Sequence, residues 1–392
     1  MAIEEIPGGP VGRSCAVLLV LMCVLLAGNA PGVAAAPRVV VVGEVSGAAA
    51  SAAAVLRELG VADEAGHWSG GDALLVQTGD LLDRGENVRA TLDLFMRLER
   101  EAAAAGGKVV VLLGNHELLN MLGELDGVEY TAYQHFSGAD SELQQQRAWE
   151  AWSSWRGQRA EAVGESFSAD ETIAAEWLAG HPPGWVEYAM SMRPEGTYGR
   201  WLRSLPAAFE HDGLLFAHAG FSPDLQGQDV ATVNRRVAEE IAAFDELRAR
   251  MTAKGLGLPF SSARELAEVV AAEIAYLNGL EGARQRRFKA RIDEASALRP
   301  LAAMKSWLVF SDTGPLWFTG ATAWDDNHQG AEMVSVLDAL AARRMIVGHA
   351  SGPDKRIHAR FGGRVIIASA PMSDDPWVSA APAGLEIVDG EV

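Results

Sequence analysis

Cysteine is almost absent from this chain: Cys15 and Cys23 are the two in 392 residues, and both stand near the N-terminus. No disulfide framework is therefore available to the rest of the sequence, and thiolate metal ligands are excluded there. Positive charge is scarce as well, with 33 Lys and Arg against 52 Asp and Glu and a formal net charge of −19. A field of that sign repels nucleic acid and anionic lipid, so neither is an expected partner. Long hydrophobic runs are also lacking. Residues 16–28 (AVLLVLMCVLLAG) form an apolar run that is short of the roughly 20 residues a membrane span needs.

That run has the character of a signal-peptide core, and the small residues Gly32-Val33-Ala34-Ala35-Ala36 follow it. Export to a periplasm or to the outside is the expectation, with cleavage after Ala35 or Ala36. The alternative is an uncleaved N-terminal membrane anchor, because Arg13 is offset by Glu4 and Glu5. A cleaved chain would have no stable membrane span and no cysteine. Losing those three charges changes −19 only to −18, so the acid belongs to the folded protein.

Hydrophobic residues make up 49% and charged residues 22%, which suits a globular chain able to bury a core. Strand and helix signals alternate. Residues 38–43 (RVVVVG), 73–79 (ALLVQTG) and 108–114 (KVVVLLG) read as buried strands, each ending in glycine. Residues 213–218, 345–349 and 364–368 are further short strands. Residues 48–59 read as a helix closed by Gly60. Leu92, Phe95, Leu98 and Ala102 mark another that stops at Gly106-Gly107. The fold class is α/β, with polar residues placed just past strand ends, where open α/β sheets hold ligands.

Two mainly helical stretches interrupt this core, at about 122–206 and 229–300. The first holds six of the 11 tryptophans. Trp149, Trp152 and Trp155 share one helical face, read as packing in preference to a ligand platform. In the second, Val230, Val233, Val237, Ile241, Phe244 and Met251 make an apolar stripe, and Ser262 with Glu265 forms a capping box. The basic run Arg284, Arg286, Arg287, Lys289 and Arg291 reads as a solvated face.

The strand ends carry the chemistry. Gly79-Asp80-Leu81-Leu82-Asp83-Arg84-Gly85 follows one strand, and Gly114-Asn115-His116-Glu117 follows the next. Together they supply a carboxylate able to bridge cations, an amide oxygen, an imidazole and a guanidinium. That is a kit for metal-assisted hydrolysis, in which divalent ions generate hydroxide and clamp the oxygens of an in-line displacement.

With these motifs the sequence resembles the calcineurin-like metallophosphoesterases, and among them the phosphoprotein-phosphatase branch of Shewanella-like phosphatases. The resemblance also includes His181-Pro182-Pro183-Gly184-Trp185, Gly199-Arg200-Trp201-Leu202-Arg203, Phe216-Ala217-His218-Ala219-Gly220, Gly314-Pro315-Leu316-Trp317-Phe318 and Val347-Gly348-His349. It implies a two-sheet β-sandwich flanked by helices, in one phosphoesterase domain over 37–392 after a signal-like segment over 1–36. It implies that Asp80 bridges two metals, Mn, Fe or Zn, with Asn115, His218 and His349 on the second. It makes His116 the general acid, oriented by Asp83, and Arg84 the phosphate holder, with a metal-activated hydroxide as nucleophile.

Four positions depart from the family pattern. Where two ligands of the first metal are usual, Glu44 and Ser46 stand, which leaves that metal Glu44 and Asp80 and brings the expected count from two toward one. Thr319 occupies the place of a second phosphate-binding arginine, and Ser369 that of a carboxylate. The resemblance thus implies a metal-dependent phosphatase acting on phosphorylated small molecules or phosphoproteins. The alternatives are a pseudophosphatase that binds phosphate or a partner without turnover, and a dinucleoside-polyphosphate hydrolase. The insertions and the Gly-Pro-Leu-Trp segment favour the first over the last.

Overall fold

The computed structural model describes residues 38–352, 354–370, 372 and 382–388; the signal-like segment and both cysteines lie outside the described residues. Nine strands form two sheets among them. In the first, β3 (Lys108–Val111), β2 (Leu74–Gln77) and β1 (Val39–Val42) run parallel, and β9 (Gly384–Ile387) joins β1 antiparallel. The second has the order β4 (Ala208–His211), β5 (Leu214–Ala217), β6 (Arg344–Val347), β8 (Val365–Ile367), β7 (His358–Arg360). Its β5, β6 and β8 are parallel, and its edge strands are antiparallel.

The two-residue period of a strand explains the layering. Val39, Val41, Leu74, Val76, Val110, Leu214, Phe216, Ile346 and Ile366 meet in one apolar layer shared by both sheets. The alternate residues Val40, Leu75, Val111, Leu215, Met345 and Val365 face the helices. Each such side chain, buried, is worth about 1.5–3 kcal/mol. This is the two-sheet sandwich the family resemblance implied, and the strands read from the sequence appear as β1, β2, β3, β5, β6 and β8.

Helices α1 (Ala49–Glu58) and α2 (Val88–Ala105) cover the first sheet, and the latter buries Leu92, Phe95, Leu98 and Ala102. Gly106 ends it in left-handed backbone, φ 88°. After β3 comes the short α3 (Asn115–Leu122). The chain then forms α4 (Tyr130–Gln134), α5 (Ser141–Ala162), α6 (Glu171–Gly180), α7 (Trp185–Ser191) and α8 (Thr197–Leu202). Here the tryptophans pack on one another: Trp149 lies 5.7 Å from Trp152 and 5.7 Å from Trp177, centroid to centroid, and Trp155 is buried.

Between β5 and β6 lie α9 (Val230–Ala253), α10 (Ala263–Asn278), α11 (Gly282–Arg287) and α12 (Lys289–Ala297). The apolar stripe of α9 is buried along its length, and the Ser262–Glu265 capping box opens α10. The basic run is solvent-facing at Arg284, Arg286, Arg287 and Lys289. Arg291 differs: it pairs with Glu273 and donates to the Ala162 carbonyl at 3.0 Å, tying α12 to α10 and α5. No helix among the described residues is long and apolar enough to cross a membrane.

Candidate metal centre and acid dyad

Parallel strands deliver their C-terminal ends to one rim. Glu44 follows β1, Asp80 follows β2, Asn115 follows β3, His218 follows β5, His349 follows β6 and Ser369 follows β8. The turn after β2 is bent hard. Asp80, Asp83 and Arg84 hold φ of 59°, 66° and 56°, left-handed values that cost a side-chain-bearing residue energy. Gly79 (φ 93°) leaves no room for a Cβ, which would lie 2.7 Å from His218 Nδ1.

Glu117 holds this turn. Its buried carboxylate accepts N–H groups of Asp80 (2.8 Å), Leu81 (2.8 Å), Leu82 (3.2 Å) and Gly114 (2.9 Å). Burial, then the Asp80 charge, raise its pKa to about 7 against those bonds. The sequence motif contained this residue without revealing its task. The signal was an acid three residues after a strand-end glycine, at the position that reaches back over the start of a helix.

Asp80, His218 and His349 place one ligand atom each within 4.8 Å of one another. His218 Nε2 is 2.8 Å from Asn115 Oδ1 and 3.4 Å from Asp80 Oδ1, while His349 Nδ1 is 3.1 Å from both His218 Nε2 and Asn115 Oδ1. His218 Nδ1 lies 2.8 Å from the Thr78 carbonyl, which can only accept, so Nδ1 carries the hydrogen. In the neutral ring Nε2 is then a bare acceptor facing an amide oxygen and a carboxylate. Burial lowers the His218 pKa and so opposes a second proton on the ring. Burial, with His218 beside it, lowers His349 to about 4. Acceptors gathered this closely suit a cation, and imidazole, amide and carboxylate donors suit Mn, Fe or Zn.

Glu44 is not part of that tight group among the described residues. It is buried, and burial followed by the Asp80 charge raises its pKa to about 8. Ser46 (φ 48°) is tied to the turn by its N–H, which donates to the Asp80 carbonyl at 2.9 Å. Its hydroxyl is a poor neutral donor to a metal. Thr319 is exposed and carries no positive charge. Ser369 is fully buried.

Beside this candidate metal group, His116 Nδ1 donates to Asp83 Oδ2 at 2.6 Å. Burial alone would lower the His116 pKa, but this bond and the charges of Asp80 and Asp83 outweigh it and raise it to about 9. Arg84 Nη2 lies 3.2 Å from His116 Nε2. With the ring protonated, two donors stand side by side and want a shared acceptor, such as a phosphoryl oxygen. Asn120 completes the dyad: its Nδ2 donates to Asp83 Oδ1 at 2.8 Å, and its Oδ1 accepts from the Tyr188 hydroxyl at 2.6 Å.

The model of the calcineurin-like phosphoesterases matches residues 37–250, more than half of the chain. The chain belongs to that family. It is 34% identical over 99 residues to Shewanella-like protein phosphatase 2 of Arabidopsis thaliana, covering 25% of each chain. It is 30% identical over 104 residues to Shewanella-like protein phosphatase 1 of Plasmodium berghei, covering 26% of this chain and 29% of that one. The phosphoesterase thus spans about a quarter of the length of the curated relatives it matches. In fold it is similar to the cold-active protein-tyrosine phosphatase of a psychrophilic Shewanella, with a TM-score of 0.51 at 20% identity over 90% of this chain and 76% of that one. These relatives fall in the branch the motifs indicated.

His181, from the same shared segments, sits in the tryptophan cluster instead of the rim. Its ring is parallel to Trp177 at 4.0 Å, and Nδ1 lies 2.7 Å from the Trp177 carbonyl.

Proposed function

We propose that this chain is a divalent-cation-dependent phosphatase that hydrolyses phosphomonoesters, phosphoproteins among them. The observation that carries the reading is the convergence of two donors, His116 Nε2 and Arg84 Nη2, beside a knot of four acceptor-bearing residues. One group of side chains suits a cation and the other a phosphate. Asp80, Asn115, His218 and His349 would hold the ion. Glu44 would face a second ion with only Asp80 to help it, so the proposed content is one ion per chain. When bound, such an ion neutralises phosphoryl charge and makes water more acidic.

The chain's own residues do the rest. Arg84 holds the phosphoryl oxygens, Asp83 orients His116, and His116 gives its Nε2 proton to the leaving oxygen. The intact dyad supports turnover over a phosphate-binding role without it. We place the activity in one phosphoesterase domain over 37–392, exported after loss of residues 1–36. N-terminal sequencing of the mature chain tests the export.

Metal content and turnover of phenyl phosphate test the activity. One tightly held ion and chelator-sensitive turnover are expected. Ser46→His/Thr319→Arg should gain a second ion and turn over faster. No turnover with any divalent cation would overturn the reading.

A further inference from the structure

The amide of Asn120 is satisfied on every side. Its Nδ2 donates to Asp83 Oδ1 at 2.8 Å and to the His116 carbonyl at 2.9 Å, and its Oδ1 accepts from Tyr188 at 2.6 Å. Turning the amide over would set its oxygen against a carboxylate and a carbonyl, so one orientation is enforced. Asp83, Asn120 and Tyr188 are all buried, with exposures of 1%, 1% and 0%. Tyr188 is not local to the rim. It stands on α7, in the first insertion, and its ring is held edge-on by Tyr133 (5.3 Å) and Phe136 (4.8 Å).

We propose that Tyr188 is a positioning residue for the general acid, through which the tryptophan-rich insertion orients His116 by way of Asn120 and Asp83. The inference rests on the phosphatase reading above. A carboxylate bonded only to His116 could rotate about its χ2 and carry the imidazole with it. Fixing Oδ1 from behind fixes the plane, and with it the direction in which Nε2 presents its proton. Burial, then the Asp83 charge, raise the Tyr188 pKa well above its usual value, so the hydroxyl stays a donor throughout the working range. In the step served, the bond from phosphorus to the leaving oxygen breaks and one to a water oxygen forms. The His116 proton ends on the alcohol, and the proton lost by water restores the imidazolium.

A general acid matters most when the leaving group is a poor one. Tyr188→Phe in the full chain should therefore lower kcat on an alkyl phosphate about tenfold, and on 4-nitrophenyl phosphate by less than about twofold. Tyr133→Phe makes the same chemical change in the same aromatic cluster and should leave the ratio of the two rates unchanged. Asn120→Ser cuts the chain of bonds in its middle and should reproduce the split, which covers the case in which Tyr188→Phe fails to fold. Equal losses on both substrates, or the same split from Tyr133→Phe, would overturn the proposal.

A readout independent of turnover is the NMR signal of the His116 Nδ1 hydrogen. It should exchange faster in Tyr188→Phe than in the unsubstituted chain; unchanged exchange would overturn the positioning role. If the unsubstituted chain hydrolyses neither ester, the phosphatase reading fails, and this signal still decides whether Tyr188 orders the dyad.

Discussion

The Thr78 carbonyl accepts the Nδ1 hydrogen of His218 at 2.8 Å, and that one bond turns Nε2 of the same ring toward Asn115 Oδ1 as an acceptor. An acceptor pair in a buried rim is unfavourable until a cation enters. Removing metal with a chelator should lower the melting temperature, and adding Mn²⁺ or Zn²⁺ should restore it. At a free ion concentration 100 times the dissociation constant the gain is about 2.7 kcal/mol. In His349→Ala the same addition should have a much smaller effect. A melting temperature indifferent to chelator and metal in the unsubstituted chain would rule out the site.

Asp83 fixes both the orientation and the acidity of His116. As the proposed general acid, His116 must be protonated to act, so activity on an alkyl phosphate should fall as pH rises through about 9. Asp83→Asn removes the charge that helps raise this pKa and leaves a single neutral accepting oxygen, so the alkaline limb should move to lower pH. A pH–rate profile of each protein checks the shift. His116→Ala should cost about 10²–10⁴ in kcat on the alkyl ester.

In the proposed reading Arg84 is the fork that takes the phosphate. Arg84→Lys keeps the charge but loses the paired N–H geometry. Inhibition by inorganic phosphate should weaken by about 1.5–3 kcal/mol, or roughly 10- to 160-fold. Inhibition constants at fixed ionic strength decide this, and unchanged values would remove Arg84 from the phosphate site.

His181 gives the insertion a pH dependence of its own. Burial lowers its pKa below the usual 6.5, so the unfolded chain binds more protons just below that value. Stability from this group is complete above pH 6.5 and declines as pH falls toward its lower folded value. Thermal melts followed by tryptophan fluorescence should show that decline, and His181→Phe should flatten it.

What could be read from sequence and what could not divides along physical lines. Strands β1, β2 and β3 are continuous apolar runs closed by glycine, and their sequence alone marks them. β7 (HAR) and β9 (GLEI) are short edge strands with mixed polarity, formed by pairing with β8 and β1 respectively, and carry no local signal. At the rim, Asp80, Asp83, Asn115 and His116 were visible because two adjacent strand ends carry them in compact motifs. Asn120 was within reach, one helical turn beyond His116. Tyr188 was not, since its bond to Asn120 joins residues 68 apart. Glu117 lay in plain view, yet its four backbone bonds exist only once the turn has closed over it.

The proposed cation donors are divided between layers: Asp80 and Asn115 end strands of the first sheet, His218 and His349 those of the second. Below the rim the two sheets are joined by an apolar layer that is strong but non-directional. An ion at the top would act as a cross-link, setting the spacing of the sheets where dispersion forces leave it soft. Backbone amides at the ends of β2 and β5 would then exchange hydrogen more slowly with the ion bound, and loss of metal would loosen the sandwich at its mouth before it loosened the core.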